Sequence, residues 1–272
     1  MSTEMSEAYP ELHAAREAWR YQPQPQALQG RTILVTGAGD GIGACTARTF
    51  ALYGANVILL GKTRSKLEGI FDWIESHTDT QPVIVPVDLE QLTPESAETL
   101  RDSIEQTYGD LHGIVHNASL LGPKVPIEHY PYAEWVRIMQ VNANAPFLLT
   151  QALFGLLDAA PDACVINTSS SVGRQGRAYW GAYAVSKFAV EGFSQVLADE
   201  TESAGHIRVY SINPGGTRTP MRRAAYPVED PADVPPPETH MDLYLFLMAP
   251  PSNDRKLPPT GAQLDARTWD RQ

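Results

Sequence analysis

The strongest constraint on the fold is an alternation of two patterns that begins at Arg31. Short apolar runs of strand length recur: "TILVT" (32–36), "NVILL" (56–60), "PVIVPV" (82–87), "LHGIVH" (111–116), "CVINT" (164–168) and "IRVYSI" (207–212). Between them lie segments with helical spacing of apolar residues, at 42–53, 65–76, 94–108, 134–157 and 180–204. Strands that are apolar on both faces need cover on both sides, and the intervening helices supply it. The pattern predicts a doubly wound α/β parallel sheet in a single domain over 30–272. "MDLYLFLM" (241–248) reads as one more buried helix and "GAQLDA" (261–266) as a last short strand. Residues 1–29 read as an extension, with a short helical pattern from Leu12 to Trp19 and then the proline-interrupted "YQPQPQ". Proline also dominates a loop at about 218–240, which reads equally as a surface loop and as a substrate lid.

Ligands in such sheets bind beyond the carboxyl ends of the strands. The first such end carries "TGAGDGIG" (36–43), a glycine turn that opens the first helix. Its spacing is T-G-x-x-x-G-x-G, through Thr36, Gly37, Gly41 and Gly43, with Gly39, Asp40 and Ile42 inside the turn. Glycines let a ligand approach the backbone, and the helix amino terminus offers N–H groups to a pyrophosphate. After the second strand the sequence is "LLGKTRSKLE", with no carboxylate at the turn but with Lys62 and Arg64. A carboxylate there would repel a 2′-phosphate and a cation attracts it. NADP(H) is therefore favoured, with NAD(H) as the alternative. Asp40, a negative charge inside the glycine turn, argues the other way.

A second constellation is "NTSSSVGRQGRAYWGAYAVSK" (167–187). Tyr183 and Lys187 stand four residues apart on an expected helix and so share a face. An ammonium beside a tyrosine favours the phenolate and lowers its pKa from about 10. Such a hydroxyl can exchange a proton with an alcohol or carbonyl oxygen. Tyr179 has no lysine one turn on. The serines follow a strand end, where one could donate a hydrogen bond to a developing oxyanion. Turn formation and capping account for the others.

Composition removes several function classes. The formal net charge is −11, and the only basic concentrations are "GRQGR" (173–177) and Arg218, Arg222 and Arg223. Nucleic-acid binding needs Lys and Arg to neutralise phosphates, so no nucleic-acid partner is expected. Cys45 and Cys164 read as buried free thiols of a reducing compartment, and the scattered histidines suggest no metal site. No apolar run approaches the roughly 18 residues of a membrane span. The first twenty residues lack the features of a signal peptide, so no membrane partner and a cytoplasmic location are expected.

Taken in order, the glycine turn, "VDL" (87–89), "HNAS" (116–119), "VNANAPF" (141–147), "NTSSSVG", "YAVSK" and "NPGGTRTPM" (213–221) resemble the short-chain dehydrogenase/reductases. The likeness is to the compact single-domain branch, covers about 30–266, and is narrowest to the bacterial YciK-type oxidoreductases. It implies a Rossmann-type doubly wound sheet and hydride transfer between a nicotinamide and a small-molecule carbonyl or alcohol. It implies Ser170, thirteen residues before Tyr183, as the catalytic serine and Tyr183 as general acid/base, both touching substrate. Lys187 would hold the nicotinamide ribose and lower the tyrosine pKa, and Asn142 would position a water in the proton relay. Asp88 and Leu89 would contact adenine, with Asn117 and Ala118 on the adenosine side. Pro214, Gly215, Thr217 and Thr219 would line the nicotinamide end. His116 and Ser119 depart from the family's usual Asn and Gly. Related proteins form dimers or tetramers through the two long helices, so a homodimer or homotetramer is expected. Arg174, Arg177 and Arg218 would suit an anionic substrate. A sugar-nucleotide epimerase would need a different glycine spacing and a longer substrate domain. A silent nucleotide-sensing protein on the same fold is the alternative to an enzyme.

Overall fold

The strand at Thr32–Thr36 is buried along its whole length, as a strand covered on both faces must be. The computed structural model describes residues 9–253 and 255–269; residues 1–8 of the amino-terminal segment and 270–272 of the domain lie outside that range. Among the described residues, seven strands form one parallel sheet in the order β3-β2-β1-β4-β5-β6-β7. They are β1 (Thr32–Thr36), β2 (Asn56–Gly61), β3 (Val83–Pro86), β4 (Gly113–His116), β5 (Ala163–Thr168), β6 (Ile207–Asn213) and β7 (Gln263–Asp265). The helices are α1 (Pro10–Arg16), α2 (Gly41–Leu52), α3 (Arg64–His77), α4 (Pro94–Tyr108), α5 (Tyr132–Met139), α6 (Ala145–Ala159), α7 (Gly181–Glu202), α8 (Pro220–Ala225) and α9 (Met241–Met248).

Side chains alternate across each strand. Leu34, Ile58, Leu60, Ile114, Val165 and Val209 enter a core closed by α4, α6 and α7. Ile33, Val35, Val57, Leu59, Val115 and Ile166 enter the opposite core, closed by α2, α3 and α9. Tyr9, Leu12, Trp19 and Leu28 join this second core, and Leu28 donates its N–H to the Tyr53 carbonyl at 2.8 Å. This is the doubly wound Rossmann-type sheet. Its strand order reverses at β1, which lies between β2 and β4, and that reversal opens the crevice at the carboxyl ends.

Two segments differ from the sequence expectation. The helix expected over 134–157 is interrupted by one π turn, Gln140–Asn144, in which Ala145 N–H bonds the Gln140 carbonyl five residues back. Pro146 has no N–H to give to the carbonyl of Asn142, four residues earlier, and the chain takes up the mismatch as a bulge. The proline-rich stretch is also more regular than a loop. Pro220, Pro231 and Pro237 begin α8 and two 3-10 turns, Pro231–Asp233 and Pro237–His240. A first helical position needs no N–H donor, so prolines that break a helix interior can start one. Among the described residues, no helix is long and apolar enough to cross a membrane, and no cluster of His, Cys, Asp and Glu could hold a metal ion.

Candidate active site

Thr36 ties the two central strand ends together. Its Oγ1 accepts from Asn117 N–H and from Ala118 N–H, each at 3.0 Å, and the Thr36 carbonyl accepts from Asn117 Nδ2 at 3.2 Å. Gly37 then turns the chain with φ of 67°, in the left-handed region that favours glycine. Gly43 packs behind the turn, where a Cβ would lie 2.6 Å from Asn117 Nδ2. Over this floor lies a cavity of about 460 Å³ that runs from the glycine turn to Tyr183.

Gly37, Gly39, Asp40, Gly41 and Ile42 line its first wall, together with Lys62. Asp88, Leu89, Asn117 and Ala118 line the middle, and Pro214, Gly215, Thr217 and Thr219 form the opposite side. Arg64 does not reach the cavity: it turns back to Glu68 at 2.8 Å, one helical turn on. Lys66, which sequence spacing did not single out, lines the wall instead and donates to Asp40 at 2.5 Å. The negative charge in the glycine turn is thus matched within the protein. Lys62 is similarly placed, 3.3 Å from Glu90, which also holds Arg137 at 2.9 Å.

At the other end, β5 delivers Ser169, Ser170 and Ser171. Ser170 caps the short turn Ser171–Gly173 and lines the cavity together with Tyr183. The turn lies tight against α7, since a Cβ on Gly173 would meet Lys187 Cβ at 2.7 Å. Lys187 is buried and donates from Nζ to the Thr168 carbonyl at 2.7 Å, with Nζ 5.6 Å from the Tyr183 ring centroid. Burial dominates both groups. It pushes the Tyr183 hydroxyl up to about 12, opposed by the neighbouring Ser170 hydroxyl. It pushes Lys187 down to about 8, opposed by Glu191. The expected lowering of the tyrosine pKa is therefore overturned, because low polarity penalises the phenolate more than its neighbours favour it.

Asn142 lies behind this wall rather than in it. Its Oδ1 accepts from Leu120 N–H at 2.7 Å, and its Nδ2 donates to the Leu120 carbonyl at 2.9 Å and to Ser186 Oγ at 3.0 Å. The side chain staples the loop after β4 to the π turn. The arginines expected to meet an anionic substrate are elsewhere. Arg174 pairs with Glu191 at 2.8 Å and bonds the Leu264 carbonyl at 3.1 Å. Arg177 is exposed, and Arg218 bonds the Val234 carbonyl at 3.2 Å. None of the three lines the cavity, nor does the exposed Tyr179. Leu121, Trp180, Met221 and Tyr226 line it instead; Met221 and Tyr226 belong to the stretch at about 218–240 read as a possible substrate loop, while no local signal marks Leu121 or Trp180.

The family profile of the short chain dehydrogenases matches residues 31–230. The chain belongs to the short-chain dehydrogenase family. The uncharacterized oxidoreductase YciK of Escherichia coli K12 is 49% identical over 247 residues, which cover 91% of this chain and 96% of that protein. A structure from E. coli CFT073 solved as a complex with NADPH is 48% identical with a TM-score of 0.86, covering 90% of this chain and 100% of that one. A structure from Shigella flexneri 2a str. 301 complexed with NADP is 47% identical with a TM-score of 0.85, covering 90% and 100%. This oxidoreductase thus shares the YciK likeness read from its motifs. Its departure at His116 has a packing role: the ring bonds Thr150 Oγ1 of α6 at 2.8 Å, and burial pushes its pKa down to about 3, so it is neutral.

Proposed function

We propose that this short-chain dehydrogenase transfers a hydride between NADP(H) and a carbonyl or alcohol substrate, with Tyr183 as general acid/base. The observation that carries this is that Ser170, Tyr183 and Lys187 meet on the wall of the cavity that starts at the glycine turn. The cavity suits a dinucleotide: a glycine cradle at one end, polar strand ends along its length and a proton donor at the other. Gly37, Gly39, Gly41 and Ile42 would hold the pyrophosphate, Lys62 and Lys66 the 2′-phosphate, and Asp88, Leu89, Asn117 and Ala118 the adenosine. When bound, the cofactor supplies the hydride. Ser170 orients the substrate oxygen, and Tyr183, held protonated at neutral pH, donates to it. Lys187 contributes its charge and a donor beneath the tyrosine, and Asn142 acts as a positioning residue through Leu120. The NADP- and NADPH-bound relatives favour the phosphorylated cofactor. The test is NADPH oxidation by the purified protein across a chemically diverse set of carbonyls, with NADH in parallel. No turnover with any of them would sink the enzyme assignment.

Replacing Lys62 and Lys66 together by Ala should raise the KM for NADPH about thirtyfold, since each half-exposed cation contributes on the order of 1 kcal/mol. The KM for NADH should move less than about twofold. A wild-type preference for NADH would overturn the NADP assignment.

A pH effect follows from Lys187. Its pKa near 8 means that the ammonium persists below that value and is lost above it. NADPH affinity should therefore fall about tenfold as the pH rises from about 7 to 9.5, the value of a charge-assisted hydrogen bond. Lys187→Met should bind weakly and flatly over the same range. A wild-type affinity that is also flat would remove Lys187 from the cofactor site.

The outward faces of α6 and α7 carry exposed Phe147, Phe154, Val185, Phe188 and Val196. A second copy of the chain is the partner these helices suit, and sedimentation of the purified protein reads the oligomeric state.

A further inference from the structure

The substrate end of the cavity differs in chemistry from the cofactor end. Lys62, Lys66, Asp40, Asp88 and Glu90 line the region near the glycine turn. Tyr183 instead sits in an apolar cluster with Val172 and Ala184, packed by Leu121, Trp180 and Met221. The aromatic wall continues outward: the Tyr183 and Trp180 ring centroids are 5.7 Å apart, and those of Trp180 and Tyr226 are 6.1 Å apart.

Two cations border this wall, and both are engaged. Lys124 Nζ stands 4.7 Å from the Trp180 ring centroid and 4.6 Å from that of Tyr226, and donates to the Ala225 carbonyl at 3.0 Å. It joins the loop after β4 to the end of α8. The Arg222 guanidinium lies 3.8 Å from the Tyr226 ring centroid, and its Nε donates to Glu229 at 2.6 Å. A carboxylate or phosphate placed here would be desolvated against rings, with the nearest guanidinium already neutralised. An uncharged ring would pack on Trp180 without displacing an ion pair, whereas the face of Tyr226 is held by Arg222.

We propose that the substrate carbonyl carries an uncharged apolar group of aromatic size, seated against Leu121, Trp180 and Met221, and that anionic substituents are excluded by the pairing of Arg222 with Glu229. This rests on the hydride-transfer function proposed above and names its substrate class.

The probes are a neutral aryl methyl ketone, acetophenone, and the same ketone bearing a para-carboxylate, 4-acetylbenzoate. Both are offered to the NADPH-saturated protein, by turnover and by calorimetric titration. The neutral ketone should show at least about a tenfold higher kcat/KM and tighter binding, the scale on which a site discriminates by desolvating a polar group. Glu229→Gln leaves Arg222 unneutralised and should narrow the gap several-fold. Equal or better use of the carboxylate would overturn the substrate class while leaving hydride transfer standing. Selective binding of the neutral ketone without turnover of any carbonyl would do the reverse. A gap unchanged in Glu229→Gln would overturn the masking of Arg222.

Discussion

Tyr183→Phe should lower kcat for carbonyl reduction by about a thousandfold, within the range that a positioned general acid contributes. The change removes one hydroxyl and little else. The ring keeps its packing against Trp180, Leu121 and Met221. The hydroxyl faces the cavity, so its loss should cost at most about 1 kcal/mol and the protein should fold and melt nearly as before. NADPH affinity should stay within about twofold, because the hydroxyl serves the proton and not the dinucleotide. Ser170→Ala should slow turnover by about a hundredfold, as for the loss of one donor to a developing oxyanion. The two measurements together, rapid kinetics and NADPH fluorescence titration, separate chemistry from binding. Near-normal turnover in Tyr183→Phe would remove that residue as proton donor.

The largest stability effect should come from the amino-terminal end of the sheet, opposite the cavity. Asp162, just before β5, accepts from Arg31 Nη1 at 2.9 Å and from Arg208 Nη2 at 2.9 Å. Arg31 also donates to the His112 carbonyl at 3.0 Å, and Arg208 to the Leu247 carbonyl. Both arginine side chains are largely buried, at 5% and 11% exposure. Asp162→Ala leaves two buried guanidinium groups without a counter-charge, at a cost of about 3–5 kcal/mol. In a chain of this size that lowers Tm by about 10 °C. Turnover below the transition should be unchanged, since the cluster lies at the amino ends of β1, β5 and β6 and the cavity at their carboxyl ends. Replacing Arg31, Asp162 and Arg208 together by apolar residues should recover much of the loss, because no charge is then stranded. A melting temperature unaltered in Asp162→Ala would show that water reaches the arginines.

What was legible from sequence follows the range of the interactions involved. The strands were readable because each is apolar over its full length, and the helices because their apolar residues recur at helical spacing. The glycine turn and the Tyr183–Lys187 pair were readable because one follows a strand end and the other spans one helical turn, whereas the choice of Ser170 among three serines came from the family resemblance. Pro146 was visible too, but whether a proline kinks, ends or bulges a helix depends on what packs around it. The same holds for charge. Arg64 and Lys66 are equally basic in sequence; only the direction each side chain takes from α3 sends one to Glu68 and the other to Asp40 at the cavity.

The sequence alone determined the parallel sheet, the place of the ligand crevice and the one-turn spacing of Tyr183 and Lys187, since periodicity and fixed spacing carry that information. Tertiary structure alone decided the state of those groups. Tyr183 is raised and Lys187 lowered because the fold buries both, and burial is a sum over distant segments. It also decided the substrate end, where Leu121, Trp180, Met221 and Tyr226 meet across more than one hundred residues of chain. The three arginines that looked available in sequence are elsewhere, because Glu191 and two backbone carbonyls hold Arg174 and Arg218, and Arg177 lies exposed.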